Sequence, residues 1–252
     1  MAKFIVTAFN PANGQHARLH YDNATSELIS ESGEPLVQKV EVAARVTAPA
    51  VSKQAPLAKT SPRVLKISLG LSCNYACEYC SQRFVPRADE TNPGDVQAFV
   101  DGLDGWVTSP PEKVEFWGGE PLVYIKTMRP LAEAIRAKFP NAELSVITNG
   151  SLLNDEINDW LDRMGFSVGI SHDGPGQPVR GPDPLHYPEQ RAAIMALYAR
   201  LAPQGRISFN AMINRENASR AAIQRFFIEL TGDPAVPIGE GSFVDAYDEG
   251  GI

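Results

Sequence analysis

The sequence is poor in cysteine: it has three among 252 residues, and all of them fall between positions 73 and 80. Because the number is odd and no other cysteine exists to pair with, a disulfide framework is not expected. No apolar run approaches the roughly 20 residues that a membrane span needs. The stretch Phe4–Phe9 is too short for a secretory signal and soon meets Asn10 and Pro11. These absences predict a cytoplasmic protein with no membrane partner, in a compartment that keeps thiols reduced.

Basic residues are also in deficit. Lys and Arg number 23 against 30 Asp and Glu, which gives a net charge of −7 and a pI of about 5.2. That balance argues against a general phosphate-binding surface, so a nucleic-acid partner is unlikely. The hydrophobic content of 43% and the length of 252 residues are sufficient for one large domain with an appendage.

The three cysteines, Cys73, Cys77 and Cys80, have the spacing C-x3-C-x2-C and follow an apolar segment that is typical of a strand. Iron–sulfur cubes usually take four thiolates, so three would leave one iron open to a small molecule. The alternative is a structural zinc site completed by one histidine. The four candidates stand far from the cysteines in sequence: His16, His20, His172 and His186.

The chain divides near residue 60. Before it, two strands are predicted at Phe4–Phe9 and His16–Tyr21, because Asn13-Gly14 between them is a strong hairpin signal. A third short strand is predicted at Glu27–Ser30. Residues 1–46 therefore form a β-hairpin extension, and residues 47–63, rich in Ala, Pro, Ser and Lys, a linker.

From residue 64 to residue 252, apolar strands alternate with helical patterns, which predicts an α/β fold with a parallel sheet covered by helices. Six strands are predicted: Val64–Leu71, Lys113–Trp117, Glu143–Thr148, Ser167–Ser171, Arg206–Ile213 and one within Val236–Ala246. Five helices are predicted between them: Pro93–Trp106, Ile125–Lys138, Asp155–Met164, Pro188–Leu201 and Ala218–Leu230. Asn154 suits the N-cap of the third helix.

A second motif, Gly118-Gly119-Glu120, follows the second of these strands. In parallel α/β barrels, functional groups gather at the carboxyl ends of the strands, where the strands end in loops. Two glycines let the backbone approach a ligand without a Cβ in the way, and Glu120 can accept from an ammonium group. Alone, such a tripeptide marks an ordinary turn.

Together, the cysteine spacing and Gly118-Gly119-Glu120 resemble the radical S-adenosylmethionine (SAM) superfamily. The resemblance covers residues 64–246 and is greatest to its peptide- and protein-modifying branch, the anaerobic sulfatase-maturase or SPASM-like enzymes. It implies a partial (β/α)6 barrel and a [4Fe–4S] cluster on Cys73, Cys77 and Cys80. An electron donor such as flavodoxin or ferredoxin would reduce the cluster. The open iron would bind SAM, whose reductive cleavage gives a 5′-deoxyadenosyl radical that abstracts a hydrogen from a peptide or protein substrate.

The resemblance also implies roles for further residues. Gly118, Gly119 and Glu120 would hold the SAM amino group, and Tyr79 would lie near the adenine. The remaining candidates for SAM are Asn149, Ser171, Asp173 and Arg180, with Asn210 facing ribose or substrate. The alternatives stay open: Asn149-Gly150 and Asp173-Gly174 are also turn dipeptides, Arg180 suits a surface loop, and Asn210 suits a barrel core.

The chain departs from that branch in one respect. It stops at Gly250-Gly251-Ile252, after the sixth predicted strand, and lacks the cysteine-rich C-terminal domain. A compact member, part of an assembly and a truncated product are all compatible with this. Three other functions remain: action on a small metabolite or nucleotide, a non-catalytic iron–sulfur or zinc module, and an interaction protein that works through its hairpin.

Overall fold

A computed structural model describes residues 3–10, 13–22, 27–36, 59–80, 82, 90–214, 216–217 and 219–242. The chain forms two compact units, Met1–Pro56 and Leu57–Ile252. The division falls inside the predicted linker 47–63, most of which lies outside the described residues. The bounds predicted for the extension and the linker therefore stay a prediction.

The first unit contains an antiparallel sheet of three strands, β1 (Lys3–Asn10), β2 (Gln15–Asp22) and β3 (Glu27–Ser30), in that spatial order. The pairing of β1 with β2 runs from Lys3 opposite Asp22 to Asn10 opposite Gln15. In the turn, the Asn13 side chain accepts a hydrogen bond from the Gln15 amide at 3.0 Å. The hairpin predicted from Asn13-Gly14 is confirmed.

The second unit is built on a sheet of six strands in sequential order, and every pairing between neighbours is parallel. The predicted α/β fold with six parallel strands is confirmed. The first strand ends at Ser68, earlier than predicted, because Leu69–Leu71 leave the ladder. The strands are β4 (Val64–Ser68), β5 (Lys113–Trp117), β6 (Glu143–Thr148), β7 (Phe166–Ser171), β8 (Ile207–Ile213) and β9 (Ile238–Ser242).

Helices follow the strands as predicted. The first predicted helix is three pieces, since turns of 3₁₀-helix at Pro93–Asp95 and Leu103–Gly105 flank the α-helical part. A short helix after β7 was not predicted. The helices are α1 (Val96–Gly102), α2 (Ile125–Lys138), α3 (Asp155–Arg163), α4 (Gln177–Arg180), α5 (Pro188–Leu201) and α6 (Arg220–Thr231). None of the described helices is long and apolar enough to cross a membrane.

Alternating burial along the strands separates a covered face from an open one. In β4, Leu65 and Ile67 are buried, whereas Val64, Lys66 and Ser68 are exposed. The apolar positions pack against the helices in a continuous core that includes Phe116, Phe166 and Trp160. The opposite face of the sheet is the inner face of the partial barrel, and the loops that follow the strands lie at its edge.

Candidate functional site

A cavity of about 770 Å³ in the second unit lies where the carboxyl ends of the strands meet the cysteine loop. It brings together motifs that are far apart in sequence. Asp173 is the one predicted site residue that does not line it. The predicted residues that do are Cys73, Cys77, Cys80, Tyr79, Gly118, Gly119, Glu120, Asn149, Ser171, Arg180 and Asn210.

The Gly-Gly-Glu segment is bonded directly to the start of the cysteine loop. The amide of Gly119 donates to the Gly70 carbonyl at 3.0 Å, and the amide of Glu120 donates to the Ser72 carbonyl at 3.0 Å. Ser72 immediately precedes Cys73. The two motifs recognised in the sequence are therefore neighbouring backbone segments in space.

The two glycines are needed for this contact. A Cβ on Gly118 would lie 2.8 Å from the Gly70 carbonyl oxygen, and one on Gly119 would lie 2.6 Å from that of Leu71. Real side chains do not approach a backbone so closely. The neighbour that requires the two glycines in this structure is the protein's own cysteine loop, and their approach to a ligand stays a prediction.

Glu120 is buried, with 2% of its surface exposed. Its amide bonds to the cysteine loop at Ser72, and its carboxylate joins its own segment to the end of β6. One carboxylate oxygen accepts from the Leu122 amide at 3.0 Å and the Thr148 hydroxyl at 2.7 Å, and the other accepts from the Asn149 amide at 2.7 Å. Burial raises the pKa of this carboxyl, while the three hydrogen bonds oppose the shift. The second oxygen retains acceptor capacity, since a carboxylate offers about four lone-pair sites.

Asn149 links the end of β6 to the cysteine loop. Its side-chain amide donates to Asn74 at 2.8 Å, and its side-chain oxygen accepts from the Ser151 amide and hydroxyl. Asn74 in turn donates to the Ser151 hydroxyl at 2.8 Å. Asn74 was not predicted as a site residue, and its place directly after Cys73 was the available signal.

Asp173 is fully buried behind the cavity wall. One oxygen accepts from the Arg180 guanidinium at 2.7 and 3.1 Å and from the Met212 amide at 2.9 Å. The other accepts from the Tyr79 hydroxyl at 2.5 Å. The structure thus places Asp173 against two residues that do line the cavity.

Arg180 gives the cavity its positive charge. Among the described lining residues it is the one cation, against the carboxylates of Glu90, Glu120 and Glu240. Its guanidinium lies over the Tyr79 ring at 5.5 Å. Its Nε and one Nη contact Asp173, and no described group accepts from the other Nη. That nitrogen is available to a ligand.

A further network at the base of the loop was missed by sequence reasoning. The Tyr124 hydroxyl accepts from the Ser72 amide at 2.6 Å and donates to the Glu90 carboxylate, which also accepts from the Ser72 hydroxyl. Tyr124 holds the loop just before Cys73. A tyrosine at the start of a helix carries no local signal for this role.

The three thiols supply the ligands that an iron–sulfur cluster with one open iron would need. All three are free and line the same cavity. Among the described residues, no group of three His, Cys, Asp or Glu side chains is close enough to bind one metal ion. The thiolates of a cluster would lie farther apart than the ligands of one ion, because each binds a different iron of one cube. His172 and His186, two of the zinc candidates, both contact Asp183 instead. Burial raises the pKa of the Cys77 thiol to about 11, opposed by the charge of Arg180.

The inner face of the sheet continues the cavity. Trp117 and Ile147, on neighbouring strands, are each 39% exposed and form an apolar wall. Lys66 lies 4.7 Å from the Trp117 ring and pairs with Glu115 at 3.2 Å. Across the sheet, the Asn210 amide lies against Gly239, where a Cβ would come within 2.6 Å of its oxygen.

Comparison with known families agrees with this geometry. A family model described as the radical SAM superfamily matches residues 67–225. A serine-type anaerobic sulfatase-maturating enzyme of Bacteroides thetaiotaomicron is 30% identical over 130 residues, which are 48% of this chain and 31% of that enzyme. An S-adenosylmethionine-dependent nucleotide dehydratase of a Thermoplasmatales archaeon is 34% identical over 94 residues, 36% of this chain and 30% of the relative.

A solved structure shares the fold. That of anSMEcpe, with bound AdoMet and the Cp18Cys peptide, superposes with a TM-score of 0.59 at 21% identity, over 75% of this chain and 53% of the other. At that identity the likeness shows the fold alone. The chain spans about a third of the length of the two curated relatives.

Proposed function

The chain belongs to the radical SAM superfamily, and from that premise we propose that it is an enzyme that cleaves SAM at a cluster held by the cysteine loop. The observation that supports this most directly is the common cavity. Three free thiols, the Gly-Gly-Glu segment and one unpaired guanidinium nitrogen line the same space.

Cys73, Cys77 and Cys80 would hold three irons of a [4Fe–4S] cluster. When bound, the cluster supplies one electron to SAM, which yields methionine and a 5′-deoxyadenosyl radical able to take a hydrogen atom from the substrate. The protein's part is to position the reactants and to exclude water. A flavodoxin or ferredoxin is our proposal for the electron donor.

The two charged ends of SAM have matching groups in the wall. The free acceptor site of Glu120 suits the ammonium group, and the free Nη of Arg180 suits the carboxylate. Asn149, Ser171 and Asn210 supply further polar atoms for the ribose.

Trp117 and Ile147 would shield the reacting carbon. Both are apolar, both are partly exposed, and both face the concave side next to the cofactor cavity. An apolar wall that excludes water matters because a primary carbon radical reacts with whatever lies nearest.

For the substrate we propose a peptide or protein. The support is the similarity to a sulfatase-maturating enzyme and the shared fold with anSMEcpe, whose structure holds a peptide. The competing class is a nucleotide, which is favoured by the similarity to a nucleotide dehydratase. The acidic composition of the chain weighs against a polyphosphate substrate.

The decisive experiment is anaerobic reconstitution with iron and sulfide, followed by reduction and measurement of 5′-deoxyadenosine. The wild type should gain the brown chromophore and cleave SAM, and Cys77→Ala should do neither. Circular dichroism of the apo forms controls for folding. A Cys77→Ala protein with a full cluster and unchanged cleavage would disprove the ligand assignment.

The substrate class is tested by isotope transfer. Deuterated peptides and deuterated nucleotides are offered separately to the reduced enzyme, and label is sought in 5′-deoxyadenosine by mass spectrometry. Transfer from peptides supports the proposal. Transfer from a nucleotide alone would replace it with the competing class.

A further inference from the structure

The buried carboxylate of Asp173 joins elements that no other described side chain brings together. Three of its donors come from the cysteine loop (the Tyr79 hydroxyl), from α4 (the Arg180 guanidinium) and from β8 (the Met212 amide), and a fourth, the Asn214 side-chain amide, lies 3.5 Å away. Asp173 itself has no exposed surface and lines no wall of the cavity. Tyr79, Arg180 and Met212 do line the cavity, so Asp173 faces it only through these partners.

The two side chains that it holds matter for different reasons. Tyr79 stands between Cys77 and Cys80, so its position fixes the part of the loop that carries two thiols. Arg180 is the cation of the cavity, and two of its nitrogens on a single carboxylate oxygen set the plane of the guanidinium. That plane decides where the free Nη points.

We propose that Asp173 is a positioning residue that fixes the cysteine loop through Tyr79 and the SAM carboxylate subsite through Arg180. The inference rests on the proposed function for the identity of the two ligands. It assigns Asp173 an indirect role, whereas the family resemblance had implied a direct contact with SAM. It also assigns the Tyr79 hydroxyl to Asp173.

Neighbouring contacts also hold the cysteine loop against the segment that contains α4. The Glu78 amide donates to the Val179 carbonyl at 3.1 Å, and a Cβ on Gly181 would lie 3.3 Å from the Tyr75 ring. The cysteine loop therefore lies along the segment that contains α4. A larger residue at position 181 would push the two apart.

The backbone of Asp173 is held as firmly as its side chain. Its amide donates to the Gln177 side chain at 3.1 Å, and its carbonyl accepts from the Asn217 side chain at 2.7 Å. The carboxylate thus has a fixed origin from which it orients its partners. This is what a positioning residue requires and a mobile surface acid lacks.

The loop role is tested by hydrogen–deuterium exchange on the apo protein, which needs neither cluster nor SAM. Tyr79→Phe and Asp173→Asn should speed exchange in peptides that cover 75–80 by about tenfold or more, since a hydrogen bond to a charged group is lost. Tyr198→Phe is the matched control. The Tyr198 hydroxyl also donates to a carboxylate, that of Asp233 at 2.9 Å, but neither residue lines the cavity. Unchanged exchange at 75–80 in Tyr79→Phe would overturn the loop role. Equal acceleration throughout the chain would overturn it as well.

The subsite role is tested by SAM affinity of the reconstituted variants. Asp173→Asn should weaken SAM binding more than Tyr79→Phe does, since only the former disturbs Arg180. An equal loss of SAM affinity in the two variants would overturn the proposal that Asp173 orients Arg180. A wild type that binds no cluster would refute the proposed function and leave the exchange result standing, so the two failures are distinguishable.

Discussion

The carboxylate of Glu120 accepts three hydrogen bonds from its own protein while it lines the cavity in which we propose that SAM binds. Its burial and its position are consequences of the same contacts with Thr148 and Asn149. A substitution at this residue therefore acts on the ligand and on the fold together. The two effects can be separated only by measuring both.

Glu120→Gln should weaken SAM binding by about tenfold or more, because a charge-assisted hydrogen bond to the ammonium group is lost. The amide of glutamine would also face one of three donors, which should lower the free energy of unfolding by about 1–3 kcal/mol. Calorimetric SAM titration and urea denaturation measure the two effects. Glu115→Gln, on the inner face, is the control. Unchanged SAM affinity would exclude the role.

Asp183 gives the structure a defined response to acid. Burial alone would raise the pKa of its carboxyl, but hydrogen bonds from His172 and from the Leu185 amide lower it to about 2. The folded pKa is thus below the ordinary value of 3.8. The stabilisation that it contributes is complete above 3.8 and is lost as the pH falls towards 2.

Asp183→Asn should therefore be less stable than the wild type at pH 6, and the difference should shrink as the pH falls below about 4. Urea denaturation of the apo protein at several pH values measures it. Asp159→Asn, at an exposed pair with Arg200, should show little effect at any pH. A difference that persists unchanged at pH 3 would contradict this account of Asp183.

Among the elements, the junction between the Gly-Gly-Glu segment and the cysteine loop is the tightest. Backbone lies against backbone there, through hydrogen bonds from Gly119 and Glu120 to residues 70 and 72. Neither segment can shift without the other. The prediction that follows concerns the fit between elements and not any single ligand contact.

Gly119→Ala should displace the cysteine loop and lower the free energy of unfolding by about 1–3 kcal/mol, because overpacking forces the backbone apart. The iron content after reconstitution should fall with it. Gly102→Ala, in α1 where a Cβ meets nothing within 4 Å, is the matched control and should leave both unchanged or slightly improved. Normal iron content in Gly119→Ala would show that the contact can relax.

Elements with local causes could be predicted from the sequence. The α3 helix is an example, since Asn154 caps it by accepting from the Ile157 amide at 2.9 Å. The alternation of strands and helices likewise follows from local patterns of apolar residues. The cysteine and Gly-Gly-Glu motifs could be recognised because their residues are contiguous.

The contacts that complete the site could not be predicted, because they join distant positions. Tyr79 and Asp173 are separated by 94 residues, and Ser72 and Tyr124 by 52. Tyrosine and aspartate carry no sequence mark of the partner that they will meet. The sequence therefore indicates Tyr79 and Asp173 as candidate site residues but not the hydrogen bond between them.

At the scale of the whole molecule, the two compact units divide between Pro56 and Leu57. The cavity and every contact of the cysteine loop described above belong to the second unit. The first unit supplies β1, whose Phe4, Ile5 and Phe9 are exposed by 48%, 55% and 57%. Removal of the first unit is therefore the direct test of what it does.

A variant that lacks residues 1–56 should retain the proposed cluster and SAM cleavage, because every described residue that lines the cavity belongs to the second unit. If an edge of the first sheet holds an extended peptide, transfer of deuterium from that peptide should be lost. A variant that lacks residues 1–60 is the comparison. It also removes Thr60, whose backbone bonds to Trp106 and Thr108 at 2.8 and 2.9 Å, and should be less stable. Loss of SAM cleavage in the shorter deletion would contradict the division.

The cysteine loop is synthesised before the residues that position it. Its docking partners, at Gly119, Asn149, Asp173 and Val179, all leave the ribosome after it does, and Asp173 is itself held by β8. A nascent chain that ends before about residue 214 thus lacks part of the structure that holds the three thiols in place. Chains synthesise at about 5–20 residues per second, so the thiols wait for many seconds without their partners. On the proposed function, insertion of the cluster would follow synthesis, and the three cysteines would have to stay reduced until then.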